Sequence, residues 1–342
     1  MNNNHLKFVG LLVVLVLPLL SYGQEREVIL GQAFDTKPHS YLYKWDPQQE
    51  RLTFFRSVWT QNNTAIRLFS TDGRTRLTIS PLAELTKYVA ITIADVAATA
   101  EGGAAVAGVL KGTDNNLTDV ILTYNDQAKL TQMWQVEPYN HRAIAVGSDG
   151  SVYAFGDRND VKTFGQEENN ASLLIHYSKD GKVLREQLPL NLFEKGLDVI
   201  STNGTTGEHH LFFADGNLVL YVAPANEVFL FDPELRIKKR VPLRQMLNGL
   251  LHQTGSIGAR LMEISFDGKD IYAQIVLWTA GEKPVMSVRL VAVDLRTQAW
   301  RLVGHDLFDR HPGRLLQVES DGNVLALRSG ANDVMQLDWF RP

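Results

Sequence analysis

The chain has 342 residues, 44% of them hydrophobic, with 34 Lys and Arg against 38 Asp and Glu, a formal charge of −4, and no Cys. That length can bury one large core or a repeat array, and it must do so without disulfides. Mild acidity with no polybasic tract argues against nucleic acid or an anionic membrane as the partner, since both reward a basic face.

The chain opens with a polar, weakly basic stretch, Met1 to Lys7, and an unbroken apolar run, Phe8 to Leu20. The run is shorter than the roughly 20 residues that a membrane-spanning helix needs. Ser21 and Gly23 place small side chains where signal peptidase cuts. Residues 1–23 are therefore expected to be a signal peptide cleaved after Gly23, making the protein secreted or periplasmic with no membrane insertion afterwards. A retained anchor is the alternative; the lack of Cys excludes a lipid-modified N-terminus. Residues 24–342 show no linker bias and are expected to form a single domain.

The first segment of that domain, Arg26 to Leu30, is strand-like and has no local partner. Beyond it, two interleaved registers repeat with a period of roughly 53 residues. In one register an alternating strand ends in a polar turn, as in Ala65-Ile66-Arg67-Leu68-Phe69-Ser70 and Leu173-Leu174-Ile175-His176-Tyr177-Ser178; its turns start at 70, 125, 178, 232, 294 and 338. The other register has turns near Asp46-Pro47, Gly102-Gly103, Asp149-Gly150, Asp215-Gly216, Asp267-Gly268 and Asp321-Gly322. Asp-Gly supplies the positive φ that tight hairpins need. Two hairpins per period make a four-stranded antiparallel blade, with strands A to D from the inside outward. Six of each predict an all-β, six-bladed β-propeller. The chain ends at Pro342 just after the last C strand, so Arg26 to Leu30 is expected to complete the sixth blade and leave no open edge. The segments starting at Pro81, Pro189 and Pro242 read as blade-to-blade connections with short helical turns.

Arg142 to Gly156 reads Arg-Ala-Ile-Ala-Val-Gly-Ser-Asp-Gly-Ser-Val-Tyr-Ala-Phe-Gly. This resembles the opening of a blade in the NHL-repeat and TolB-like six-bladed propellers, and Arg314 to Leu327 and Arg260 to Ala273 are similar. The resemblance implies the fold over the whole mature chain. It implies no single function, because such propellers include scaffolds, receptors, lactonases and lyases. Their enzymatic members place metal ligands where the A strands emerge into the channel, and no complete ligand set is matched here.

In a propeller the D-to-A connections and B-to-C loops share one face, and the first residues of the A strands surround the channel mouth there. Seven residues before the Asp of each A-B turn lie Arg142, Glu208, Arg260 and Arg314, with Asp95 in the second blade if Gly102 replaces that Asp. His141, His209 and His311 lie beside this ring, and the polar run Gly156 to Asn170 is a long B-to-C loop on the same face. Guanidinium forks suit carboxylate or phosphate, so the arginines are candidate ligands for an anion. The commoner role for such arginines is structural, as staples that tie each blade to its neighbour through a carboxylate or as fillers of a repeat position.

Adjacent strand residues point to opposite faces, so His209 and His210 serve one site only if the strand begins after them. No metal-binding spacing or nucleophile motif occurs, and no cofactor is expected. The leading expectation is a binding or scaffold module that takes a protein, peptide or small anion at the channel mouth. The alternative is a metal-dependent hydrolase or lyase using His141, His209 or His311.

Overall fold

The computed structural model describes residues 26–30, 42–57, 59, 65–137, 139–158, 172–193, 209–281, 285–304, 307–310, 312–329 and 334–342. Its strands form six four-stranded antiparallel sheets. Blade 1 is β2 (Leu42–Asp46), β3 (Arg51–Phe55), β4 (Ile66–Ser70) and β5 (Thr75–Ile79); blade 2 is β6 (Tyr88–Ala98), β7 (Ala104–Gly112), β8 (Leu117–Tyr124) and β9 (Leu130–Gln135). Blade 3 is β10 (Tyr139–Val146), β11 (Val152–Arg158), β12 (Ser172–Tyr177) and β13 (Val183–Pro189). Blade 4 is β14 (His210–Ala214), β15 (Asn217–Val222), β16 (Glu227–Phe231) and β17 (Ile237–Pro242). Blade 5 is β18 (Gly258–Phe266), β19 (Asp270–Trp278), β20 (Met286–Asp294) and β21 (Trp300–Leu302).

The sixth blade closes the ring. Its strands are β22 (Arg314–Val318), β23 (Val324–Ser329), β24 (Met335–Phe340) and, outermost, β1 (Arg26–Ile29) from the other end of the chain. Arg26 pairs with Trp339 and Ile29 with Gln336, and the Leu30 N–H donates to the Met335 carbonyl at 3.0 Å. The chain is a six-bladed β-propeller. One boundary differs from the sequence reading: β24 runs on to Phe340, so Asp338 is not a turn but a mid-strand residue opposite Glu27, its carboxylate 2.8 Å from Arg328 Nε. With the D strand supplied by the chain's other end, no tight turn is needed there.

Each blade packs both faces against neighbours, which explains why the B strands are continuous apolar runs rather than alternating ones. Thus β15 (Asn-Leu-Val-Leu-Tyr-Val) is buried at every position after the first. The six apolar clusters lie between consecutive blades, the last joining Leu30, Trp45, Leu52 and Phe54 to Leu316, Leu325 and Leu337 across the closure. The D strands face solvent, as the exposed Val-Leu-Arg-Glu start of β13 shows. The connection from blade 4 to blade 5 contains α1 (Arg244–Thr254), which buries Met246, Leu247 and Leu250 and ends at Gly255 in the left-handed conformation. A shorter helix, α2 (Leu307–Arg310), lies between blades 5 and 6. No helix among the described residues is long and apolar enough to cross a membrane.

Candidate functional site

A cavity of about 590 Å³ opens where the A strands begin. Its wall includes Tyr43 and Lys44 of β2, Arg142 of β10, and Ala223, Pro224 and Asn226 from the B-to-C loop of blade 4. The D-to-A and B-to-C face is therefore the cupped one.

Four A strands carry a β-bulge here, since the ladder slips between Ile93 and Asp95, His141 and Ala143, Leu261 and Glu263, and Leu315 and Gln317. A bulge leaves one residue unpaired and re-aims its neighbours, which is how polar side chains reach the cup from strands otherwise committed to the core. In blades 2 and 3 the strand opposite the bulge has a glycine. A Cβ on Gly108 would stand 2.4 Å from the Thr92 carbonyl oxygen, and one on Gly156 would stand 2.1 Å from that of Asn140.

The floor of the cup is a polar network that touches all six blades. Lys44 Nζ lies 2.5 Å from Asp95 Oδ2 of blade 2 and also donates to the Ile144 carbonyl of blade 3. The same Asp95 oxygen accepts the Ile144 N–H at 2.8 Å. On the other side, Tyr43 donates its hydroxyl to Glu263 Oε1 of blade 5. Around that carboxyl stand Arg314 of blade 6, 3.5 Å from Oε1, and His210 Nδ1 of blade 4, 3.9 Å from Oε2. Burial pushes the Glu263 carboxyl up to about 7, against the opposing pull of Tyr43 and Arg314. Burial also raises Asp95, with Lys44 opposing it, and lifts the Tyr43 hydroxyl well above its usual range.

The three arginines all line the cup, but they do not form one ring by register. Arg142 is itself the bulged residue of its strand, whereas Arg260 and Arg314 each stand two residues ahead of their bulges at Met262 and Leu316. Counting back from the turn fails because the bulges sit at different distances from it. Arg142 and Arg314 stand equally far before like turns while the bulges fall at Arg142 and Leu316, and the turn of blade 5 is shorter. Asp267 closes a short hairpin through its contact with Asp270, while Asp149 and Asp321 sit two residues into longer turns opened at Gly147 and Glu319. Arg142 Nη2 is 3.6 Å from Asp157 Oδ2, and its buried Nε has no hydrogen-bond partner. Arg260 is exposed at the lip.

The histidines divide. His141 is not part of the cavity wall: it is buried within blade 3, its Nε2 2.8 Å from the Tyr177 hydroxyl and its ring stacked on Tyr139. Burial drops it to about 3, so it stays neutral. As a candidate ligand it is set aside, because the bulge after it turns Arg142, not His141, into the cup. His209 and His210 both line the cavity, and the reason is the strand boundary: β14 begins at His210, so His209 stands just outside it and escapes the alternation. His209 Nδ1 accepts the Ala223 N–H at 3.4 Å. Burial, with Arg142 beside His209 and with His209 and Lys44 beside His210, lowers both to about 4. Glu208, His311 and residues 159–170 of the long loop lie outside the described residues, as does the signal segment. Among the described residues no group of three His, Asp or Glu side chains is placed to hold a metal ion.

Solved structures resemble this fold at low sequence identity. A member of the DUF4221 family from Bacteroides vulgatus is 8% identical with a TM-score of 0.51, covering 93% of this chain and 96% of that one. The likeness is one of fold. A putative exported protein from Bacteroides fragilis (10% identity, TM-score 0.48, 90% and 98% covered) and a streptogramin B lyase (9%, 0.39, 92% and 96%) are also similar. No protein-family model and no curated protein matches the chain.

Proposed function

We propose that this is an exported binding propeller that holds a small organic anion in its channel-mouth cup, as a ligand-binding or scaffold module. Export rests on the apolar run Phe8 to Leu20 and the small residues after it. The observation that carries the ligand reading is unused donor capacity. Arg142 and Arg314 face the cavity with their carboxylate contacts at 3.6 and 3.5 Å, longer than the 2.7–2.9 Å of a formed charge-assisted bond. Arg142 Nε makes no bond at all. A volume of about 590 Å³ suits a small molecule, and walls such as Leu42, Phe55 and Leu315 give it an apolar side.

Calorimetric titration with sulfate and with di- and tricarboxylates tests this. The wild type is expected to bind, and Arg142→Ala or Arg260→Ala to weaken binding by about tenfold or more, the scale of a lost bond to a charged group, with the melting temperature nearly unchanged. If the variants instead lose stability and no anion binds the wild type, the arginines are blade staples and the proposal fails. A stoichiometric divalent ion in the purified protein would move the reading to a metal-dependent hydrolase or lyase.

A further inference from the structure

We infer that anion binding in the cup is coupled to uptake of a proton by Glu263, so that the propeller takes its ligand under neutral-to-acidic conditions and releases it as the medium turns alkaline. The inference rests on the anion-site reading above and adds to it a switch.

The geometry makes the coupling hard to avoid. Glu263 shares the cavity with the candidate anion ligands, as Asp95 does, and its side chain is 14% exposed, so water screens it poorly. Its one close donor is neutral, the Tyr43 hydroxyl from β2. The cation nearest to it is Arg314 from β22, which has to serve both the carboxylate and any incoming anion. An anion drawn to Arg260 and Arg314 therefore meets a second negative charge across the same guanidinium. Two like charges confined in one site raise the pKa of the group that can protonate. By linkage, the protonated form then binds more tightly.

The remaining titratable and charged neighbours are unchanged in the Glu263 variant, so comparison with Glu263→Gln isolates the part of the pH dependence that belongs to Glu263. Asp95, from β6, is tied to Lys44 and to the Ile144 N–H. Burial and nearby cations hold His209 and His210, at β14, near 4, so any protonation they gain from the ligand falls on the acid side. Arg142, from β10, and Lys44 supply fixed positive charge. Asp46, buried behind Lys44 and raised to about 6 by burial, is present in every variant below and cancels in the comparison.

The sign follows from Glu263 standing at about 7 in the empty cup. Below that value it is already neutral and affinity is flat. Above it, binding must recruit a proton, and affinity falls up to about tenfold per pH unit. Sulfate is a suitable probe because it does not titrate in this range. Calorimetry with sulfate at pH 6 and pH 8, each in two buffers of different ionisation enthalpy, is expected to show affinity weaker at pH 8 by several-fold, up to about tenfold, with net proton uptake there. Glu263→Gln, which mimics the protonated carboxyl, is expected to remove both the slope and the uptake. Tyr43→Phe removes the donor that favours the charged form and is expected to move the fall in affinity to higher pH; it serves also if Glu263→Gln does not fold. Sulfate binding with no pH dependence, or a slope that survives in Glu263→Gln, overturns the coupling and leaves the anion site standing. No sulfate binding even at pH 6 overturns the anion site itself, and the coupling with it.

Discussion

Lys44→Met is expected to destabilise the protein by about 3–5 kcal/mol, the scale for stripping a buried charge of its partner. Lys44 and Asp95 have side chains only 13% and 10% exposed, and the lysine also reaches the Ile144 carbonyl, so one ammonium joins blades 1, 2 and 3 at the channel. The defect has a pH signature. Burial already raises Asp95, and without Lys44 it rises further. A carboxyl with a raised folded pKa contributes a penalty that grows as pH climbs from its unfolded value, about 4, to its folded one. The gap in urea midpoint between wild type and Lys44→Met should therefore be wider at pH 8 than at pH 5. Adding Asp95→Asn should recover most of the loss, because the amide oxygen can still accept the Ile144 N–H. A loss below about 1 kcal/mol, the level of a solvated surface pair, would remove the floor network from the account.

Removing the closing strand is expected to be as severe. A chain that starts after Leu30 loses the whole β1 ladder to β24, the Arg26 guanidinium over the Trp339 ring at 4.7 Å, and Leu30, which is 4% exposed in the cluster between blades 6 and 1. It also bares an apolar strand edge that invites pairing with another chain. Leu30→Ala alone should cost about 2–5 kcal/mol. The truncation should lower the melting temperature by about 10 °C or more and produce aggregates in size-exclusion chromatography, whereas a chain beginning at Gln24 should behave as the full domain. A truncated form that melts like the longer one would mean that the ring closes without velcro from the N-terminus.

The six blades were readable from sequence because a propeller repeats its chemistry. Turn residues such as Asp72-Gly73 and Asp180-Gly181 recur between apolar runs, and the surplus strand at Arg26 matched a missing one after Phe340. The site was only partly readable, because bulges break the repeat at the cup. Arg142 and Arg314 share a sequence context yet differ in register, and His141 lies on the wrong side of its bulge. The bulge opposite Gly156 had a signal, a glycine that interrupts its B strand directly after the apolar run Val152 to Phe155. Glu263 had one too, a lone acid within Leu261-Met262-Glu263-Ile264, since such a residue in a core strand is buried only with partners. Its partners, Tyr43 and Arg314, stand far away in sequence, and nothing local connects them to it.

The most direct measurement is a crystal structure of the protein soaked in selenate at pH 6, with the anion located by its anomalous scattering. The account expects selenate inside the cup, hydrogen-bonded at about 2.7–3.2 Å to at least two of Arg142, Arg260 and Arg314, with Glu263 remaining on Tyr43. Selenate confined to the outer surface, with Arg142 and Arg314 closed tightly onto Asp157 and Glu263, would contradict it.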